Sequence, residues 1–179
     1  MAVTRKWVPA PVEDCWAIVA DARSYAFWVV GSHDVRAAEG EWPAAGSTFH
    51  HTQGHGPVKL KDTTTVRECE PPHRLVLEVR VRPFGIGRVA LCFEPDGEGT
   101  CMTIDETFES GPLSYVPRPL MAPAIAFRNE DGLRRLAAMA WTRAATLDRA
   151  PDEVGGGQAG SAAAGTTPRS SARRTKARA

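Results

Sequence analysis

The stretch Leu75–Phe108, LVLEVRVRPFGIGRVALCFEPDGEGTCMTIDETF, decides the fold. Three times over, apolar residues return at every second position. Leu75, Leu77, Val79 and Val81 alternate with Val76, Glu78, Arg80 and Arg82. Val89, Leu91 and Phe93 alternate with Arg88, Ala90, Cys92 and Glu94, and Met102, Ile104, Glu106 and Phe108 with Cys101, Thr103, Asp105 and Thr107. A period of two is the pattern of a strand with one buried face. Pro83-Phe84-Gly85 and Asp96-Gly97-Glu98-Gly99 separate the runs with turn chemistry. Consecutive strands joined by tight turns give an antiparallel sheet, one face packed and the other wet.

Working outward, the same reading predicts strands near 33–39, 47–53, 57–69, 73–82, 86–95 and 100–109, with a first strand at Val3–Val8. Pro11, followed by Glu13 and Asp14, suits the first turn of a helix. Val12, Trp16 and Val19 then repeat at helical spacing, so a short helix is expected over 11–20. Asp21 is a candidate N-cap for a second short helix through Val30, stopped by Gly31, with Tyr25 and Trp28 on its buried face. A last helix is expected from Leu120 to Leu147. Leu133, Leu136, Ala137, Ala140, Ala144 and Leu147 form its apolar stripe, and Arg134, Arg135 and Arg143 lie outside it. Pro119, Pro123 and Gly132 are expected to delay or bend its start.

The whole chain has 179 residues, 22 bases against 21 acids, and a formal net charge of +1. Five of the bases and two of the acids fall in 151–179, a Gly/Ala/Ser/Thr-rich segment without aromatics. The charge therefore divides into a mildly acidic body and a basic tail. A folded domain over 1–150 and a disordered tail over 151–179 are expected. No apolar run approaches the ~20 residues of a membrane span, and the start lacks the apolar core of a secretory signal. The four cysteines form no C-x-x-C pair, which argues against zinc or a disulfide framework and for a cytoplasmic protein.

The order strand, two short helices, six strands, long helix is an α+β fold. Its curved sheet must bury one face, and only the last helix is large enough to cover it. A sheet bent round one helix cannot close tightly at both ends, so a cavity beside the short helices is expected. This order, with Pro9-Ala10-Pro11, Asp21, Tyr25, Trp28, Gly31, Trp42-Pro43, Gly46, Gly56-Pro57, Pro71-Pro72 and Asp96-Gly97, resembles the START-like or SRPBCC helix-grip superfamily. That superfamily includes polyketide cyclases, lipid-transfer domains and pollen-allergen ligand carriers. The resemblance covers about residues 3–147. It implies a bacterial domain that holds an apolar molecule, but names no shared catalytic residue.

Glu106 is the sharpest candidate for chemistry, because its register places a carboxylate among Met102, Ile104 and Phe108. A bulge would turn it outward and bring Asp105 or Thr107 in. His51, beside Phe49, is the candidate partner as hydrogen-bond donor or base. Tyr25, Trp28, Phe49, Phe84, Met102, Ile104, Phe108 and Phe127 are the candidate ligand wall. Asp62 shares the phase of Val58, Leu60, Thr64 and Val66. With Arg67, Arg80, Arg82 and Arg88 on neighbouring strands, a solvated ladder of ion pairs is the expectation for it.

In His50-His51-Thr52-Gln53-Gly54-His55, alternation sends His50 and His51 to opposite sides, and no metal or other cofactor is expected. The basic tail does not by itself predict nucleic-acid binding. A homodimer through an open sheet edge or the short helices stays open. Two functions follow: a carrier or sequestering protein for a small hydrophobic molecule, or a cyclase or dehydratase using Glu106 and His51 as acid and base.

Overall fold

The computed structural model describes residues 2–55 and 58–149, apart from the side chains of residue 33 and of residues 53–60. The expected tail at 151–179, Gly56-Pro57 and the side chain of His55 lie outside the described residues. The elements follow in chain order: β1 (Ala2–Val8), α1 (Val12–Val19), a 3₁₀ turn (Ala22–Ser24), α2 (Tyr25–Trp28), β2 (Ser32–Glu39) and β3 (Thr48–His55). Then come β4 (Val58–Glu70), β5 (Arg74–Val81), β6 (Gly85–Asp96), β7 (Gly99–Ser110), a second 3₁₀ turn (Pro112–Tyr115) and α3 (Arg118–Asp148). The seven strands form one antiparallel sheet in the order β1-β7-β6-β5-β4-β3-β2. This is the helix-grip arrangement, a curved sheet with a long C-terminal helix.

Local sequence accounts for most boundaries. The Asp21 side chain accepts from the Arg23 backbone N–H at 2.9 Å and starts the 3₁₀ turn. The second short helix is less regular than expected. It divides into that turn and a single α turn, closed before Gly31 at φ +90°. The long helix begins at Arg118, two residues earlier than expected, and runs through Pro123 without a break. Leu133, Leu136, Ala137 and Ala140 bury its stripe, whereas Leu147 ends in solvent. Arg143 of α3 donates to Asp14 of α1 at 3.0 Å and ties the two helices together.

The register of β7 decides the site. Met102, Ile104 and Glu106 stand opposite Phe93, Leu91 and Val89 on β6. The only shift in this ladder lies between Ile86 and Gly87, beyond Glu106. No bulge turns Glu106 outward, so it shares the inner face with Met102 and Ile104, and all three are buried.

Candidate functional site

One end of the inner face is solid. Phe93, Leu91, Leu75 and Met102 are almost wholly buried there beneath α1 and α3, and Trp16 meets Phe93 edge-on at 6.3 Å. At the other end, α2 and the first half of α3 roof a cavity of about 70 Å³. That is room for roughly two or three water molecules, and about half of the ~150 Å³ that holds a benzene ring in an engineered apolar cavity. Its apolar wall comes from Val79, Val81, Val89, Ile104, Trp28 and Phe49. Gly132 brings α3 close: a Cβ there would stand 3.2 Å from the Trp28 carbonyl oxygen.

Aromatic rings hold the α2 side in place. Tyr25 packs against Trp28 and Phe49 at 4.9 Å each and against Trp42 at 5.5 Å. The Tyr25 hydroxyl and the Trp42 indole both donate to the Val19 carbonyl, each at 3.1 Å. Tyr25 therefore offers its ring to the cavity while its hydroxyl is engaged, and burial pushes its pKa further up. Trp28 donates to Ser24 Oγ at 3.2 Å.

The polar groups gather at the same place. His51 of β3 is buried, its ring 5.1 Å from that of Phe49, and its Nε2 pairs with Thr64 Oγ1 at 3.1 Å. Its Nδ1 has no partner. Burial first, then the charges of Arg36 and His50, lowers its pKa to about 4, so the ring is neutral at pH 7. Glu106 accepts from Arg128 of α3, whose Nη2 also reaches Asn129 Oδ1 at 3.3 Å. Asn129 Nδ2 and Ser32 Oγ, both buried and both on the cavity wall, have no partner either.

The expected site is thus brought together in part. Glu106, His51, Tyr25, Trp28, Phe49 and Ile104 meet at the cavity. Met102 does not reach it and is packed in the solid end. Phe108 faces a neighbouring cavity of about 90 Å³ under the second 3₁₀ turn, which shares only Glu106 with the first. Phe84, in the turn after β5, is 44% exposed, and Phe127 is 78% exposed on the outer side of α3, so neither is wall.

Asp62 also departs from expectation. It is fully buried, and its Oδ1 accepts from the Arg82 backbone N–H at 3.2 Å rather than from a side chain. The ion pairs run elsewhere, from Arg67 to Glu78 and Glu109 and from Arg74 to Glu68. Burial raises the Asp62 pKa. His50 points away from His51 and pairs with Glu39 at 2.8 Å. Arg128, Asn129 and Ser32 were not anticipated. The irregular polarity of α3 before Gly132 was the available signal, because a polar pair there interrupts the stripe that follows.

Fold and site together define a helix-grip domain built round an internal pocket. A family described as polyketide cyclase / dehydrase and lipid transport matches residues 2–140, and the chain belongs to that family. No curated protein matches the chain. Among solved structures, the di-domain ARO/CYC StfQ from the steffimycin biosynthetic pathway is similar with a TM-score of 0.63 at 15% identity, over 80% of this chain and 51% of that one. Ara h 8.0201 aligns at TM-score 0.64 and 9% identity, over 78% of this chain and 96% of that one. Protein CV1439 from Chromobacterium violaceum aligns at 0.58 and 16%, over 76% and 94%. These likenesses are of fold.

Proposed function

We propose that the protein binds one small, largely apolar molecule in this cavity and carries or sequesters it. One observation carries the reading: Ser32 Oγ, His51 Nδ1 and Asn129 Nδ2 are buried in the wall of a single apolar pocket and have no partner. Each such atom costs roughly 1–3 kcal/mol while it stays unpaired. Three in one pocket are accounted for by a guest whose polar end completes them. The family's lipid-transport description supports a cargo role. Four free cysteines support a reducing compartment such as the cytoplasm. No helix among the described residues is long and apolar enough to cross a membrane.

Gentle native mass spectrometry of the purified protein is the test. A retained lipophile, or capture of one from a panel of single-ring compounds, is the expected result. A protein that stays empty against the whole panel would defeat the reading.

The second reading is an enzyme of the cyclase or dehydratase type. His51 favours it, being neutral at pH 7 and carrying a ring nitrogen without a partner on a residue that lines the cavity, as a general base requires. StfQ, an ARO/CYC, shares the fold. Glu106 is bound to Arg128, which suits it better to position a ligand than to deliver a proton. With a poly-β-ketone mimic, His51→Gln should lose turnover and keep affinity. Unchanged turnover would remove His51 from the chemistry.

A further inference from the structure

We propose that the cavity selects uncharged ligands bearing an oxygen, ketones or phenols, over carboxylates of the same skeleton. The inference rests on the cavity being the binding site.

Two fixed charges meet the pocket among the described residues, Glu106 from β7 and Arg128 from α3, and they are bound to each other. Their charges cancel, so the pair presents no net charge to an incoming ion. A ligand carboxylate would enter beside the Glu106 carboxylate, and an ammonium beside the Arg128 guanidinium. The apolar walls of Val79, Val89 and Ile104 offer no polar group to compensate. The titratable groups that line the pocket beside this pair, His51 and Tyr25, add no charge at pH 7. Burial keeps His51 and the Tyr25 phenol neutral, and pushes the Asp62 carboxyl, one residue pair beyond Thr64, upward.

What remains for a ligand is a set of dipoles. Arginine can only donate, so its contact fixes the Asn129 amide with Oδ1 toward Arg128. Nδ2 is then a donor with no partner. Ser32 Oγ and His51 Nδ1 stand free as well, and each can serve as donor or acceptor according to its proton. A carbonyl or hydroxyl oxygen satisfies this set without bringing charge. The Glu106–Arg128 pair is therefore a neutralising clamp, and the specificity follows from its balance.

Three compounds on one ring test this by calorimetric titration of the full chain at pH 7: acetophenone, benzoate and ethylbenzene. Acetophenone should bind about tenfold or more tighter than benzoate, and clearly tighter than ethylbenzene. Glu106→Gln keeps the volume but releases the Arg128 charge, so benzoate should gain about tenfold and become the preferred ligand. Benzoate equal to or better than acetophenone in the native protein, or an unchanged order in Glu106→Gln, would overturn the charge argument and leave the binding site standing. Ethylbenzene matching acetophenone would show that the polar end reads nothing, and would overturn it too. Should Glu106→Gln fail to fold, the native ranking still decides. Binding of none of the three would instead defeat the cavity reading itself.

Discussion

The two ends of the inner sheet face share one backbone pattern and differ only in what their side chains fill. Along β6 the inward residues run Phe93, Leu91, Val89, Gly87, and along β7 they run Met102, Ile104, Glu106. On β5, Leu75 and Leu77 give way to Val79. On β4, Val66 gives way to Thr64 and Asp62, and on α3 Leu136 and Leu133 give way to Asn129. Every layer tapers in size or turns polar toward the same end. The pocket is written as this gradient across five elements, so no single motif contains it.

The largest contrast is in stability. Phe93→Ala in the solid end should cost about 3–5 kcal/mol, through lost transfer energy and a cavity that tight packing cannot collapse. Val79→Ala, which enlarges existing space, should cost under about 1.5 kcal/mol. Denaturant melts of both variants measure the difference, and equal costs would mean that the two ends are equally well packed.

A smaller difference is expected in pH response, because the cavity end holds the titratable groups. Native His51, with its pKa lowered to about 4, binds protons less readily than unfolded histidine at about 6.5. Its contribution is present above about 6.5 and is lost as pH falls toward 4, by up to roughly 3 kcal/mol. Asp62 acts in the opposite sense. Its raised native pKa stabilises the protonated form, and that contribution is lost as pH rises. Melting temperature should fall between pH 6.5 and 4 in the native protein, and His51→Gln should flatten that fall.

Gly87 reverses the usual sign. Its backbone needs no glycine, and a Cβ would meet nothing nearer than the Phe108 ring at 3.7 Å. Gly87→Val should therefore raise stability by up to about 1 kcal/mol while it fills the cavity and weakens ligand binding at least tenfold. A variant that gains stability and still binds would separate this cavity from the binding site. Phe127→Ser, on the outer side of α3, should change stability by no more than about 0.5 kcal/mol and leave binding alone.

The fold was legible because alternation and turn chemistry are local properties, and each strand carries them within its own ten or so residues. The same parity placed Glu106 and His51 inward, since no bulge intervenes before them on β7 or between Phe49 and His51 on β3. Parity says nothing about depth. Met102 and Glu106 have the same phase, yet one ends in the core and the other at the pocket. Asp62 is in phase too, and the arginines of the neighbouring strands make a surface ion pair the natural expectation for a residue that is in fact fully buried. On α3 one residue turns the side chain by about 100°. Phe127 thus projects to solvent while Arg128 and Asn129, its neighbours in sequence, reach the site. Only the packing of α3 on the sheet fixes that rotation.

Gly132 has a consequence for time rather than for affinity. Its bare Cα lets α3 lie 3.2 Å (to a would-be Cβ) from the Trp28 carbonyl, at the joint between the roof helix and the short α2 turn. A methyl group there requires that joint to give by a few tenths of an ångström, while Ser32, His51 and Asn129, which bear the partnerless polar atoms, keep their side chains. Gly132→Ala should speed association and dissociation together and leave their ratio nearly fixed. One hydrogen atom on α3 would then set how long a guest stays.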